Sequence, residues 1–135
     1  MLDHDEFNRW LNMAKRTLES AKRDIEGGDY NWACFKAQQA AEFAVKAYLY
    51  GVGQPRAGHA VSLLLSHVGA PEELIDKAKY LDKMYVPTRY PNAWSEGAPY
   101  QYYTRKDAEE AIEICKEVIE YIEARWRALG SSGEG

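Results

Sequence analysis

The residues best suited to ligand chemistry lie between positions 80 and 103, where aromatic and basic side chains are interleaved. This stretch holds six of the ten tyrosines and one of the four tryptophans. Arg89 lies between Tyr85 and Tyr90, and Asn92 follows shortly after. Rings can stack on a base, and a guanidinium binds anionic oxygens. The stretch predicts a site for a nucleotide or unpaired RNA, although rings that close the end of a domain, with Arg89 bonded to buried carbonyls, are an alternative.

Two polar positions outside this stretch are also candidates. His59 follows a glycine at the entrance of a predicted helix, so it either caps that helix, which we favour, or faces a ligand. Lys46 lies four residues after Glu42, the favourable order for a helical ion pair, which a solvated surface pair would explain. The candidate binding residues are Arg89, Asn92, Tyr85, Tyr90, Lys46 and His59.

The first part of the chain predicts two long helices. Apolar residues from Phe7 to Ile25 recur at alternating spacings of four and three, with Asp3 as a possible N-cap. A second helix, capped by Asp29, should end at Gly51. Its stripe consists of small residues, which lets another helix approach closely and predicts that this helix is central. Its members are Ala33, Ala37, Ala40, Ala44 and Ala47. Gln38 or Gln39 should lie near this seam and form an interhelical hydrogen bond.

The second part predicts three more helices and one long irregular segment. A brief helix fits Val61 to Val68, and Pro71 suits the first turn of the next one, whose apolar stripe reaches Tyr85. Pro87 should end that helix. Positions 86–103 contain three prolines and no helical period, and such loops are uncommon unless functional. The helical period returns after Thr104 and continues to about position 126.

Composition narrows the classes of protein. A chain of 135 residues with 46% hydrophobic residues fits one helical domain over 1–129, followed by a flexible tail over 130–135. Cys34 and Cys115 lie in apolar helical patterns and are predicted to be reduced core thiols. The acidic N-terminus has no signal-peptide pattern, which indicates a cytoplasmic protein, and no apolar run could span a membrane. The net charge of −4 argues against broad binding to phosphate backbones but allows a local basic pocket.

One acidic run, like the rest of the chain, gives no reason to expect a metal or another cofactor. The run is Glu109, Glu110, Glu113, Glu117 and Glu120. With Lys116 and Arg125 nearby, it is more simply a solvated helix face than a surface for a basic partner. We therefore expect no cofactor.

Several segments together resemble the HEPN domain family, and the resemblance spans nearly the whole chain. They are ACFKAQQAAE at 33–42, KAY at 46–48, GH at 58–59, TRYPN at 88–92 and YYT at 102–104. The resemblance implies an all-α, antiparallel bundle of four or five helices that commonly forms a homodimer. It also implies a possible partner, because many members are encoded beside a minimal nucleotidyltransferase in a toxin–antitoxin-like arrangement.

Many HEPN proteins are metal-independent ribonucleases whose motif is an arginine followed, after four to six residues, by a histidine. Counted from Arg89, the three positions for that histidine hold Trp94, Ser95 and Glu96, none of which can replace imidazole as a near-neutral acid–base group. The motif is therefore missing. Arg89 still matches the arginine of the arginine-tyrosine-proline segment in one branch of the family, where the resemblance suggests binding.

Three functions follow from these observations. The first is a binding module for a nucleotide or single-stranded RNA, working with a nucleotidyltransferase-fold partner. The second is an atypical ribonuclease in which Arg89 stabilises phosphate charge and His59 or a tyrosine transfers a proton. The third is a purely structural domain that covers another protein through its aromatic loop. Since a fold alone does not establish function, the arrangement of the site must separate them.

Overall fold

The computed structural model describes residues 1–130, which form an all-helical bundle with no strand in that range. Five α-helices and two short 3₁₀ turns follow one another along the chain. The helices are α1 (His4–Glu26), α2 (Tyr30–Gly51), α3 (Val61–Val68), α4 (Glu72–Asp82) and α5 (Arg105–Leu129). The 3₁₀ turns, Pro91–Ala93 and Pro99–Gln101, lie in the irregular segment between α4 and α5. The all-α bundle predicted from the sequence is confirmed.

Helix α2 is the centre of the bundle, as its small-residue stripe predicted. All five alanines of the stripe are fully buried, and α2 packs against the other four helices. Larger residues surround the stripe: Tyr48 is buried, Phe35 and Phe43 are half-buried, and Trp32 is exposed. Methyl groups along the contact allow the neighbouring helices to come close, which brings their loops near the α2 surface.

Both cysteines are free and buried, as predicted. Burial raises the pKa of the Cys34 thiol to about 12, with a smaller contribution from the carboxylate of Asp107. Burial likewise raises the pKa of the Cys115 thiol to about 12. Because the thiolate is the nucleophile, neither cysteine is a reactive group at neutral pH.

Helix boundaries differ from the sequence prediction at two prolines and one aspartate. Pro71 is the N-cap of α4, one position before the first turn. Helix α4 ends at Asp82, so Pro87 does not stop it and Tyr85 lies beyond its end. The early end lets Met84 turn into the core, where it is 5% exposed. Asp29 occupies the N-cap position of α2 but makes no side-chain capping bond.

The early end of α4 also connects two helices. The Asp82 carboxylate accepts a hydrogen bond from the Ser62 backbone N–H at 3.2 Å and another from the Ser62 hydroxyl. Ser62 lies in the first turn of α3, where backbone N–H groups lack partners within the helix. The side chain of Asp82, at the end of α4, therefore caps α3. It also fixes the distance between the segment that precedes α3 and the segment that follows α4.

Three further expectations concern membrane spans, the C-terminal tail and the start of α5. Among the helices of residues 1–130, none is both long and apolar enough to cross a bilayer. The tail predicted over 130–135 lies, apart from Gly130, outside the described residues. The capping pattern predicted for α5 is present: Thr104 accepts from the Asp107 N–H at 3.1 Å, and the Asp107 carboxylate accepts from the Thr104 N–H at 3.0 Å.

Substituting Ala40→Leu should destabilise the fold, because Ala40 is fully buried on the close-packed face of α2. Added methylenes in such a contact typically cost about 1–3 kcal/mol. The measurement is the free energy of unfolding in urea. The matched control is Ala124→Leu on the exposed side of α5, expected to change stability by less than about 0.5 kcal/mol. Equal midpoints for the Ala40 variant and wild type would show that the contact is looser than described.

Candidate functional site

The Glu42 carboxylate, on α2, is the centre of a buried polar network. Glu42 is only 3% exposed. Its Oε1 accepts hydrogen bonds from the amide nitrogens of Gln38 at 3.1 Å and Gln39 at 3.3 Å. Its Oε2 accepts from Lys46 Nζ at 2.9 Å. Residues 38, 42 and 46 are four apart and so share one helix face, which is how the sequence places all three groups together.

The ion pair between Glu42 and Lys46 is therefore not the solvated pair that the sequence suggested. Both side chains are at least nine-tenths buried. A buried carboxylate costs free energy unless it is paired and its remaining lone pairs are hydrogen-bonded, and both conditions are met here. Lys46, one of the predicted ligand-binding residues, is placed inside the bundle and serves this carboxylate. Gln38 is buried, as predicted for one of the two glutamines, but the predicted interhelical hydrogen bond is wrong, because the partners of Gln38 lie on its own helix and in a loop.

His59 attaches to this network from the segment between α2 and α3. Its Nδ1 lies 3.1 Å from Glu42 Oε1, and its backbone carbonyl accepts from Gln38 at 2.8 Å. A carboxylate accepts hydrogen bonds, so Nδ1 is the donor and Nε2 is left for other partners. The ring is 52% exposed. The predicted capping role is wrong, because the N-cap of α3 is Ala60.

Tyr85 joins His59 to Arg89. The rings of His59 and Tyr85 are stacked, with centroids 4.2 Å apart and an interplanar angle of 15°. The guanidinium carbon of Arg89 lies 4.5 Å from the centroid of the same tyrosine ring. The structure thus places an arginine and a histidine against one ring, although no histidine follows Arg89 at the spacing of the ribonuclease motif.

Aromatic rings enclose the Arg89 guanidinium on several sides. Besides Tyr85, its guanidinium carbon lies 4.3 Å from the centroid of Phe35 and 5.0 Å from that of Tyr90. Its Nε donates to the Tyr85 carbonyl at 2.7 Å. Within residues 1–130, neither terminal nitrogen of the guanidinium donates to a protein acceptor. Arg89 is therefore held by one nitrogen and by the rings, while its two best anion-binding donors remain available.

The backbone around Arg89 is anchored to α2. Thr88 is fully buried, its hydroxyl donates to the Met84 carbonyl at 2.8 Å, and its own carbonyl accepts from the Asn31 amide at 3.0 Å. Trp94 Nε1 donates to the Pro87 carbonyl at 2.8 Å. Buried donors and acceptors are thereby satisfied within a segment that has no regular structure. The irregular segment holds Arg89 in a fixed position.

We call the connected set of Glu42, Lys46, His59, Tyr85 and Arg89 the arginine–histidine cluster. Of the predicted binding residues, Lys46, His59, Tyr85 and Arg89 belong to it, and Tyr90 borders it through Arg89. Asn92 lies exposed on the 3₁₀ turn Pro91–Ala93 and takes no part in the cluster's hydrogen bonds. Sequence reasoning missed the central role of Glu42, for which the 38, 42, 46 spacing was the available signal, and it missed Asn31, for which there was none.

Comparison with known proteins agrees with the fold and identifies the family. The profile of the HEPN domain matches residues 7–125. A Methanocaldococcus jannaschii protein named as a putative toxin is 30% identical over 129 residues, covering 84% of this chain and 83% of its own length. This chain belongs to the HEPN family.

Three solved structures support the assignment. A Thermus thermophilus protein is 41% identical with a TM-score of 0.85, over 88% of this chain and 97% of that one. An archaeal HEPN homologue is 40% identical with a TM-score of 0.78, over 88% and 96%. A HEPN domain protein of Thermotoga maritima is 38% identical with a TM-score of 0.68, over 86% and 95%. The bundle described here is thus the bundle of these relatives.

The substitution Lys46→Met should destabilise the protein by about 3 kcal/mol, because it leaves the Glu42 carboxylate buried without its cation. Urea unfolding measures the effect. The control is the double variant Glu42→Gln with Lys46→Met, which removes both charges and should be clearly more stable than Lys46→Met alone. If Lys46→Met is as stable as wild type, the carboxylate does not depend on this lysine.

Proposed function

We propose that this HEPN protein is a binding module that recognises a nucleotide or single-stranded RNA through the arginine–histidine cluster. The observation that carries the proposal is the arrangement of Arg89, whose guanidinium is packed among three rings while its terminal nitrogens have no acceptor within residues 1–130. A positioned guanidinium of this kind suits phosphate, since binding then costs little side-chain entropy. Tyr90 is 47% exposed and offers a ring on which a base can stack.

The local charge supports an anionic ligand despite the net charge of −4. Neither the segment 52–71 nor the segment 83–95 contains an aspartate or a glutamate. The carboxylate within the cluster, Glu42, is buried and paired with Lys46. The two segments that carry His59 and Arg89 therefore have positive groups and no exposed carboxylate. Such a surface attracts phosphate at short range.

The proposal extends to two protein partners. Trp32 and Val86 are each more than 40% exposed, and they lie on α2 and on the segment just before Arg89. Large exposed apolar side chains of this kind favour contact with another chain. A second copy of this chain is the partner that the family resemblance favours. A nucleotidyltransferase-fold protein is the second partner, supported by the toxin-like name of the Methanocaldococcus jannaschii relative.

One observation favours a second candidate function, an atypical metal-independent ribonuclease. The Glu42 carboxylate orients His59 through Nδ1, as a carboxylate orients a histidine that acts as a general acid or base, and Tyr85 brings Arg89 to the same place. In such a reaction His59 Nε2 would exchange a proton with the ribose or the leaving oxygen while Arg89 stabilises the phosphate. The missing arginine–histidine spacing favours the binding function over this one.

Arg89→Ala should weaken binding of mononucleotides or short single-stranded RNA by about tenfold or more, since a charge-assisted hydrogen bond contributes roughly 1.5–3 kcal/mol. Titration calorimetry measures the affinity, and thermal unfolding monitors the fold. Arg16→Ala, an exposed arginine on α1 outside the cluster, is the matched control and should bind like wild type.

The same proteins separate the two candidate functions in a gel assay with RNA and a metal chelator. Binding alone leaves the RNA intact. Chelator-resistant cleavage that is lost in both Arg89→Ala and His59→Ala would establish the ribonuclease instead. If wild type neither binds nor cleaves RNA, the aromatic segment serves protein contact only.

The homodimer is tested by light scattering at micromolar concentration. We expect a mass of about twice the 15.4 kDa of one chain, because the exposed apolar residues on α2 and beside Arg89 gain free energy when they are covered. Trp32→Lys and Val86→Lys place a charge in the proposed contact and should shift the mass toward one chain. A mass of one chain for wild type throughout that range would rule out the homodimer.

A further inference from the structure

A second concave surface adjoins the arginine–histidine cluster at His59. It is a shallow depression of about 400 Å³ formed by the end of the 52–60 segment and the exposed side of α3. The residues that matter for its chemistry are Arg56, His59, Leu63 and His67. This volume falls in the range of small-molecule sites and is sufficient for one nucleotide.

The depression has the groups that a nucleotide needs. Arg56 and His67 are exposed, and within residues 1–130 neither forms an ion pair with a carboxylate. No acidic residue occurs in the segment 52–71 that builds most of the wall. Leu63 is 64% exposed and offers an apolar surface to a base or a ribose. A cation, an imidazole and an apolar surface therefore face one opening.

His59 belongs to both surfaces. One part of its ring stacks on Tyr85, which also contacts Arg89, while the residue lines the depression. The hydrogen bond that His59 Nδ1 donates to Glu42 fixes the ring, and the capping of α3 by Asp82 fixes the helix that forms the wall. The two surfaces are thus held in one arrangement and share the half-exposed imidazole of His59.

We infer that the depression is a second nucleotide subsite, so that the preferred ligand is an oligonucleotide of at least two residues and not a mononucleotide. One phosphate binds Arg89, the strand passes His59, and the next phosphate binds Arg56 while its nucleoside lies against Leu63. This inference rests on the proposed function, because it extends the strand that Arg89 is proposed to bind.

Calorimetry with defined probes tests the subsite. The probes are AMP, with one phosphate, and the dinucleotide pApA carrying 2′-O-methyl groups, with two phosphates and no hydroxyl available for cleavage. Wild type should bind pApA at least about tenfold more tightly than AMP, as expected for one added charge-assisted contact. Arg56→Ala should remove most of that gain and leave the affinity for AMP within about twofold. Arg16→Ala should leave both affinities unchanged.

The outcomes distinguish this inference from the proposed function. If AMP and pApA bind with equal affinity, or if Arg56→Ala weakens both probes equally or neither, the second subsite is overturned while nucleotide binding at Arg89 stands. If neither probe binds wild type, the proposed function and the subsite both fail. Because Arg56 is exposed and lies outside the helices, its removal should not alter thermal unfolding, and the same melting temperature in both proteins checks this.

Discussion

The buried carboxylate of Glu42 is the constraint on which the rest of the site depends. A lone carboxylate in the centre of a helical bundle is unfavourable by several kcal/mol, so the fold is stable only with a cation and hydrogen-bond donors within reach of its oxygens. Lys46 supplies the opposite charge, two glutamine amides supply donors, and His59 supplies a donor from another segment. The free energy cost of leaving this buried carboxylate without its hydrogen-bond partners holds the 52–60 segment against α2, and with it the ring on which Tyr85 stacks.

The small-residue face of α2 determines how near these segments come. Alanines along the contact let neighbouring helices approach closely, and the loops of those helices then reach the polar face of α2. Asn31, at the start of α2, binds the Thr88 carbonyl, and Glu42, in its middle, binds His59. The two segments that carry His59 and Arg89 are therefore positioned by one helix, although His59 and Thr88 are 29 positions apart in the sequence. Sites built on such rigid support are more precise than sites on free loops.

Helical periodicity is sufficient to predict the elements, since amphipathic stripes, caps and glycines are local signals. Local signals fail where a distant residue decides the outcome. Helix α4 ends at Asp82 because its carboxylate caps α3 and Met84 turns into the core, and neither partner is visible from the neighbouring residues. The sequence prediction wrongly places the Glu42–Lys46 pair in solvent for the same reason. Spacing predicts that two residues meet but not whether a third element covers them. Composition alone predicts that Arg89 and Tyr85 are site residues, whereas the stacking of Tyr85 on His59 is a property of the folded chain.

The packing around Arg89 also limits where a base can stack. Tyr85 already contacts His59 and Arg89, and Phe35 contacts Arg89 and Tyr85, so these rings are largely occupied by protein groups. Tyr90 is the ring of this group with the larger exposed area, and Leu63 provides the apolar surface on the other side of His59. The enclosed rings therefore orient the guanidinium, and the exposed ones are left for the ligand. In the proposed binding mode the cation is fixed and few parts of the site move, so specificity would depend on the distance between successive phosphates more than on the identity of a base.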